Sequence, residues 1–345
     1  MDAKSHTVTI AAEQDLERWQ QFALERQPQN PMLDAGWYKV LADAFSVERL
    51  FLVCRNTAGQ VVGLAPLYCS RSPFTGTHIT NLEDGWYAED EKASHALLNA
   101  ARSLGKERNA RYVLLRHAEA IAGAADRVVP TVRRIIDTSK PAAAILTEVK
   151  KKNRWAIRQA ANKGFVVEQD LALERMEVFY ALYARHMRDL GTPVMSMRYM
   201  LALKRQFGAA RLKLFFVCRD GREIGGMLCI SAMNTWLNMY AVVRKDLMAE
   251  YPNYLLYWRA IECAADGGIA RFDLGRSRPA SNTYVFKAKW PGADHDAPHC
   301  YFGAPTGRLD RIHERESLMQ RIWKHVPLLV ANWAGPKIRD QLPFS

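Results

Sequence analysis

The hydrophobic pattern of the chain has the same order in its first and second halves. In each half, two segments with helical spacing precede two apolar runs separated by a short turn that contains glycine. The two turn-containing stretches, LFLVCRNTAGQVVG (50–63) and LFFVCRDGREIG (214–225), are nearly the same in sequence. Apolar runs on either side of such a turn are typical of a β-hairpin. The repeat therefore predicts two related domains, in which Phe51 and Phe215 are equivalent.

The similarity extends to both sides of the hairpins. Helical periods precede them at 17–27, 31–45, 174–186 and 193–207. Residues 91–107 and 252–268 then predict a helix in each half, and the predicted strands near them are 111–117, 235–243 and 269–275. Antiparallel strands followed by a crossover helix and a further strand predict a mixed α/β fold with helices flanking largely antiparallel sheets. We place the domains at 1–145 and 146–305, followed by a helical tail at 306–345.

Composition narrows the function classes. The formal net charge of the 345 residues is +12, which favours an anionic partner such as nucleic acid, a phosphorylated ligand or an anionic membrane surface. No apolar run approaches the roughly 18 residues of a membrane span, and the N-terminus has no apolar signal core. The six cysteines are scattered and form no metal-ligand pattern. We expect a cytoplasmic protein with reduced cysteines and no metal.

The segment FDLGRSRPASNTYVFKAKW (272–290) carries the clearest local signal for chemistry. It predicts a strand that ends at Gly275, a polar loop and a second strand that begins at Tyr284. Alternation in the second strand places Lys287 and Lys289 on one face, where lysines commonly face water. Candidate ligand contacts are the residues after the first strand and those around the preceding strand–helix junction: Arg276, Ser277, Tyr240, Asn253 and Tyr257. Core, capping or loop-stabilising roles are equally consistent with each.

A basic segment at 146–165 contains six Lys/Arg residues. Thr147 could cap the start of one helix over this segment, and Gly164 could end it. Arg154 and Arg158 lie four residues apart and so share a helix face. Two interpretations are open: a solvated basic face, or a surface that docks phosphate or an anionic carrier.

The basic segment, the segment FYALYARHMRDLGTPVMS and the 272–290 segment together resemble the FemAB-type transferases, and in particular the subgroup associated with exosortase systems and exopolysaccharide loci. The resemblance covers about residues 150–292. It implies two tandem GNAT-like domains and an acyltransferase that transfers an acyl or aminoacyl group to an amine or hydroxyl of a cell-envelope or exopolysaccharide precursor. It also implies that Lys287 stabilises the negative charge of the transition state. In the loop 81–90, it suggests Asp84, Trp86 and Tyr87 as acceptor contacts.

The sequence departs from the family pattern in the segment expected to bind the acyl donor. The segment RKDLMAEY (244–251) lacks the glycines with which a GNAT domain cradles the pyrophosphate of coenzyme A. No charged helical insertion indicates a tRNA-handling arm either. We therefore expect no tightly bound cofactor and leave two donors open, aminoacyl-tRNA and acyl-CoA. No His/Asp or Cys/His arrangement identifies a general base.

Two other classes of protein stay open. The charge also suits a non-catalytic nucleic-acid-binding protein, although only Trp155 interrupts the basic run with an aromatic ring. A non-catalytic partner in polysaccharide assembly is the other alternative. The C-terminal stretch 317–342 mixes tryptophan and leucine with basic residues, so it packs on its own domain or makes a peripheral contact with an anionic inner membrane.

Overall fold

The computed structural model describes residues 6–72, 76–116, 121, 124–303 and 320–339, which form two compact units. Unit 1 holds the described residues up to Pro130, those from Asp296 to Gly303, and Lys337 to Arg339. Unit 2 holds Thr131–His295 and 320–336. These boundaries differ from the expected ones at 145 and 305, because the strand Val132–Asp137 belongs to the second sheet. Parts of the expected tail, 306–319 and 340–345, lie outside the described residues.

Unit 1 is one mixed sheet with three α-helices among its described elements. Its strands are β1 (Thr7–Ile10), β2 (Glu48–Arg55), β3 (Val61–Ser72), β4 (Gly76–Asn81), β5 (Tyr87–Ala88), β6 (Tyr112–Arg116), β7 (Arg127–Val129) and β15 (His299–Phe302). Its helices are α1 (Leu16–Arg26), α2 (Gly36–Ala44) and α3 (Glu91–Glu107). The strand order is β1-β2-β3-β4-β6-β15-β7, with β5 beside β3.

Unit 2 repeats this plan. Its strands are β8 (Val132–Asp137), β9 (Val166–Asp170), β10 (Leu212–Arg219), β11 (Arg222–Ala232), β12 (Thr235–Val243), β13 (Arg271–Ser277) and β14 (Ala293–Asp296). Its helices are α4 (Ala142–Glu148), α5 (Lys151–Asn162), α6 (Met176–Leu190), α7 (Met197–Arg211), α8 (Pro252–Asp266) and α9 (Asn282–Lys287). The strand order is β14-β8-β13-β12-β11-β10-β9. A last helix, α10 (Leu328–Arg339), ends the described chain.

The predicted fold class and its repeat are confirmed. Strands β1–β4 of unit 1 and β9–β12 of unit 2 pair antiparallel in sequence order. A helix then crosses over to a parallel strand: α3 connects β4 to β6, and α8 connects β12 to β13. Such a parallel pair requires a crossover connection, which here is helical. Among the described residues, no helix combines the length and apolar character needed to cross a bilayer.

The predicted equivalence of Phe51 and Phe215 is wrong. Phe51 packs edge-on against Tyr38 of α2 and near Trp19 of α1, whereas Phe215 belongs to the core beneath α8. The glycines fix the true register, because Gly63 pairs with Cys54 and Gly225 pairs with Val217. Aligning β2 and β10 by their identical residues therefore differs by one position from aligning them by their pairing in the sheets. A shift of one residue moves every side chain of a strand to the opposite face.

The predicted single helix at 146–165 is two helices. The chain is extended at Val149 and Lys150, where α4 ends and α5 begins. Thr147 lies in α4 and does not cap α5, since its hydroxyl donates to the carbonyl of Ala144 at 2.7 Å. The side chain of Arg154 donates to the carbonyls of Thr147 and Val149 at 2.7 and 2.6 Å, so it satisfies oxygens that the end of α4 leaves without helical partners.

Candidate functional site

The candidate site of unit 2 lies where β12 and β13 stop pairing. The parallel pairing runs from Thr235 with Arg271 to Leu237 with Asp273 and then ends. At the next residues of β12, the register with β11 shifts, so that Met239 is an extra residue in the strand. Bulges of this kind redirect side chains and commonly lie beside active sites. The two strands therefore open into a gap at their carboxyl ends.

Gly275 makes β13 irregular at this gap. Its φ is +77°, and a Cβ at this position would lie 2.9 Å from the carbonyl oxygen of Asn238. Only glycine adopts such a backbone without strain and also allows this close approach. The register of β13 with β8 shifts between Asp273 and Arg276, which marks the same irregularity.

A buried ion pair fixes the turn of the strand. Asp273 is fully buried, and its carboxylate is bonded to the guanidinium of Arg133 on β8. The other carboxylate oxygen accepts from the backbone N–H of Gly275 at 2.7 Å. A buried carboxylate needs an opposite charge and further hydrogen bonds to offset the loss of its hydration. Asp273 therefore holds the backbone of Gly275 in place.

Lys287 binds to this irregular segment. Its Nζ donates to the carbonyl oxygens of Gly275 at 2.9 Å and of Arg276 at 3.0 Å, and its side chain is buried. Successive carbonyls of a regular strand point in opposite directions, so one ammonium reaches both only because β13 is bent here.

The predicted second strand from Tyr284 is wrong, because Lys287 ends the short helix α9. The side-chain oxygen of Ser281 accepts from the N–H of Tyr284 at 3.1 Å and caps this helix. The lysines are therefore not neighbours on a strand face. Lys289 lies beyond the helix and donates to the hydroxyl of Tyr254 at 2.9 Å.

An aromatic wall lies next to the lysine. Tyr257 of α8 packs against Phe286 and stacks on Trp290, with ring centroids 4.9 and 5.9 Å away. Its hydroxyl lies 3.3 Å from Nδ2 of Asn238, which donates to it. Burial raises the pKa of the Tyr257 phenol, and the hydrogen bond from Asn238 only partly opposes this effect. The phenol therefore stays protonated at neutral pH.

Several polar atoms at the gap lack a hydrogen-bond partner among the described residues. They are Oδ1 of Asn238, Oγ of Ser277 and Nε1 of Trp290, and all three are buried. Buried polar groups are normally paired, so these three atoms are suited to bind a polar ligand. The gap thus combines a fixed cation, unpaired polar atoms and an aromatic wall, which together could bind a polar carbonyl compound.

The structure brings together only some of the predicted site residues. Lys287, Arg276, Ser277 and Tyr257 meet at the gap. Tyr240 lies on the opposite face of the sheet, where its hydroxyl bonds to that of Tyr199 at 3.2 Å.

Three further candidates lie on the helices of unit 2. Asn253 is in the first turn of α8 and is buried, and its Oδ1 has no hydrogen-bond partner in the part of the chain that the structure describes. Arg154 bonds to the end of α4 as described above, and Arg158 is exposed on α5.

The three candidates of the loop 81–90 belong to unit 1. Asp84 is buried with φ +55°, its N–H donates to the carbonyl of Arg116, and its carbonyl accepts from Asn30. Trp86 packs against the core beneath α3. Tyr87 is in β5, with its ring 5.8 Å from that of Phe22. These contacts give the loop a defined shape, and the acceptor role of its side chains stays a prediction.

Sequence reasoning missed four residues of the gap: Arg133, Asn238, Asp273 and Trp290. Asp273 and Asn238 had a signal, since each is a polar residue inside an apolar strand. Arg133 had none, because its partner is 140 positions away in the chain. The described residues contain no cluster of His, Cys, Asp and Glu that could hold a metal ion.

Comparison with known proteins shows which domain family the second half of the chain resembles. Residues 146–287 match the profile of a family described as an acetyltransferase (GNAT) domain. No curated protein matches the sequence.

Solved structures match almost the whole chain, at identities that compare the fold alone. FemX is 14% identical, with a TM-score of 0.63 over 90% of this chain and 100% of its own. The C-terminal domain of a putative lysylphosphatidylglycerol synthetase from Agrobacterium fabrum is 9% identical, with a TM-score of 0.58 over 88% and 96%. A tandem GNAT protein from the clavulanic acid biosynthesis pathway is 13% identical, with a TM-score of 0.55 over 88% and 100%.

Residues 146–287 are thus similar to an acetyltransferase (GNAT) domain, and the chain as a whole has the fold of the tandem GNAT protein and of FemX.

Proposed function

We propose that the protein is a transferase that moves an acyl or aminoacyl group to an amine or hydroxyl of a cell-envelope or exopolysaccharide precursor. The observation that carries this proposal is the buried ammonium of Lys287 at the gap between two splayed strands of a GNAT domain. The envelope acceptor rests on the lysylphosphatidylglycerol synthetase, whose name places a lysyl group on a phospholipid. The exopolysaccharide alternative rests on the sequence motifs.

The gap suits the chemistry of acyl transfer. The nucleophile attacks the acyl carbon, the carbonyl oxygen gains negative charge, and the bond from that carbon to the donor carrier then breaks. The proton of the nucleophile leaves with the carrier. A fixed ammonium beside the oxygen stabilises this charge without reorganising at the moment of reaction. Lys287 supplies that cation, and Asp273 and Gly275 position it through the backbone of β13.

A peripheral contact with the inner membrane is part of the proposal. Leu329 and Trp333 of α10 are 85% and 68% exposed, and they lie four residues apart on one helix face. Exposed apolar side chains near basic residues suit the interface of an anionic bilayer. A membrane-linked acceptor would be found there.

Lys287→Met tests the proposal directly. We expect turnover to fall about 100- to 1000-fold, the usual effect of removing one oxyanion donor. The assay incubates the full chain with aminoacyl-tRNAs or acyl-CoAs and with lipid and sugar precursors from the host, and detects the product by mass spectrometry. Lys289→Met is the matched control, since its ammonium contacts Tyr254 rather than β13.

Thermal melts of both variants must show folded protein. Near-normal turnover in folded Lys287→Met would refute the role of the lysine. The absence of any acylated product with the unmodified chain, across both donor classes, would refute the function.

A further inference from the structure

A cavity with basic walls lies on the side of the second sheet that α6 covers. It has a volume of about 770 Å³, which is within the range of natural ligand sites. Its walls come from α6, from the last residues of β12 and from the 3₁₀ turn Lys245–Glu250, and Leu328 of α10 also lines it. Tyr183 of α6 contacts Tyr240, so the cavity lies on the face of the sheet opposite to α8 and is separate from the gap.

The lining of the cavity is partly apolar and partly charged. Ile224, Val242 and Val243 form its buried part. The charged side chains that line it are four cations and two carboxylates: Arg185, Arg188, Arg244, Lys245, Asp189 and Asp246. The cavity therefore suits an anion that also has an apolar part.

The two carboxylates leave part of the positive charge unpaired. Arg244 is paired with Asp246. Nε of Arg188 lies 3.3 Å from the carboxylate of Asp189, but it is buried and makes no hydrogen bond within the described residues. Arg185 and Lys245 form no ion pair in the part of the chain that the structure describes. Cations that repel one another without counter-ions favour an anionic partner.

Exposed apolar side chains border the cavity. Leu190, Met248 and Leu329 are exposed, and each lies within two residues of a residue that lines the cavity. Val330 and Trp333 continue the exposed apolar face of α10. Large apolar side chains that are grouped on a surface mark a contact with another molecule.

The phosphate of a membrane lipid matches this combination. Guanidinium and ammonium groups bind phosphate oxygens by charge-assisted hydrogen bonds. Leucine, methionine and tryptophan side chains are favourable at the boundary between the headgroups and the acyl chains. A nucleic acid or a small soluble phosphate would satisfy the cations but would leave the apolar side chains around the cavity in water.

We infer that the cavity binds the phosphate group of an anionic membrane phospholipid, and that the apolar side chains around it enter the same leaflet. The inference rests on the proposed function, because it identifies the lipid group that the proposed membrane contact recognises. Arg185 and Lys245 bind the phosphate oxygens. This lipid is an anchor and not the acceptor, because the aromatic wall of the candidate site is formed by Tyr257 of α8, on the other face of the sheet.

Sedimentation of the full chain with vesicles of equal parts phosphatidylglycerol and phosphatidylcholine tests the inference. For Arg185→Ala/Lys245→Ala, we expect the partition coefficient to fall about 30-fold, since each cation at an anionic surface contributes about fivefold. For Leu329→Ser, we expect a fall of about 10-fold from the lost apolar burial. Lys92→Ala/Lys106→Ala, on the exposed side of α3, is the charge-matched control and should leave the partition coefficient unchanged.

A second probe separates the cavity from the surface around it. Short-chain phosphatidylglycerol, titrated below its micellar concentration in a calorimeter, should bind the unmodified chain saturably. Leu182→Trp fills the cavity and keeps every charge, so we expect it to weaken this binding at least about 10-fold. Leu201→Trp, at an exposed position of α7, is the matched control and should bind normally. Thermal melts must show that both variants are folded.

The inference is overturned if the anionic vesicles do not bind, or if the α3 control weakens binding as much as Arg185→Ala/Lys245→Ala does. It is also overturned if folded Leu182→Trp binds the short-chain lipid normally. Glycerol 3-phosphate that binds as tightly as the short-chain lipid would show a soluble ligand instead. Binding of tRNA through Arg185 and Lys245, without binding of vesicles, would show a nucleic-acid site, and either result refutes the lipid anchor.

These measurements contain no acyl donor or acceptor and are therefore independent of turnover. Acyl transfer by a chain that binds no anionic lipid would refute the anchor and leave the transferase proposal standing. Saturable lipid binding by a chain that makes no acylated product would have the opposite meaning.

Discussion

The backbone conformation of Gly275 determines the position of Lys287, the catalytic candidate. Gly275→Ala would put a side chain on a backbone with φ +77° and 2.9 Å from the carbonyl oxygen of Asn238. We expect the variant to lose more than the about 1–2 kcal/mol that left-handed backbone alone costs, and to lose turnover as Lys287 shifts. Gly268→Ala is the control, since its φ is +71° but nothing lies within 4 Å of the new Cβ. Chemical denaturation of both variants measures the difference, and equal losses would contradict the steric argument.

His78 makes the stability of unit 1 depend on pH. It is fully buried on β4, stacked on Tyr112, and its Nε2 has no partner among the described residues. Burial lowers the pKa of His78 from 6.5 to about 4, and the charge of Arg116 acts in the same direction. Since the unfolded chain binds the proton more readily, this contribution to stability is complete above pH 6.5 and is lost as pH falls towards 4.

His78→Phe keeps the stacked ring and removes the titration. Between pH 7 and pH 4, we expect the free energy of unfolding of the natural chain to fall by about 3 kcal/mol more than that of the variant. Denaturation curves at several pH values measure this difference. His95→Gln, at an exposed position on α3, should follow the natural chain, and parallel curves for the natural chain and His78→Phe would disprove the argument.

At the scale of single residues, the sequence suggests candidate functional side chains, but it does not predict their contacts in the fold. The resemblance of the 272–290 segment to the FemAB-type transferases suggests Lys287, but the bonds of Lys287 to two carbonyls follow from the bend at Gly275. That bend depends on Arg133, which is distant in sequence and has no local signal. In the sequence, Tyr240 and Tyr257 flank the same strand–helix junction, but the extra residue Met239 turns Tyr240 to the other face of the sheet.

At the scale of elements, α9 shows how a local cap decides between two structures. The alternation of YVFKAKW is compatible with a strand, but the side-chain oxygen of Ser281 accepts from the N–H of Tyr284, three residues later, and starts a helix. The prediction of α3 and β12, by contrast, agrees with the structure at every boundary residue, because α3 has a long, regular helical period and β12 is a long, mainly apolar run. A short segment contains too few residues to distinguish a helical pattern from a strand pattern.

Ser281→Ala should therefore affect function more than a typical cap does. We expect a loss of about 0.5–2 kcal/mol in stability, and a drop in turnover because α9 carries Lys287. Ser281→Asp, another good cap, should restore both. Ser196→Ala removes the equivalent cap of α7 and should reduce stability without reducing turnover at temperatures where the protein stays folded. Equal effects of both alanine variants on turnover would show that α9 has no special role.

At the scale of the whole molecule, the chain exchanges strands between its two sheets. β7 and β8 are consecutive, yet β7 pairs in the first sheet and β8 in the second. β14 and β15 are also consecutive, and here β14 pairs in the second sheet and β15 in the first. The repeat predicts two copies of one fold, but these strands are too short to indicate their partners, and the pairing is between residues more than 100 positions apart. The expected boundaries at 145 and 305 missed this exchange for that reason.

The exchange makes the two halves unequal as fragments. A fragment of residues 131–295 contains every strand of the second sheet except the last residue of β14, so we expect it to unfold cooperatively. A fragment of residues 1–130 lacks β15, which lies between β6 and β7, and so leaves both strands with unpaired backbone groups. We expect it to be aggregated or unfolded, as measured by thermal circular dichroism and size-exclusion chromatography. A cooperative, monomeric 1–130 fragment would show that β15 is dispensable and that the first sheet is stable without the exchange.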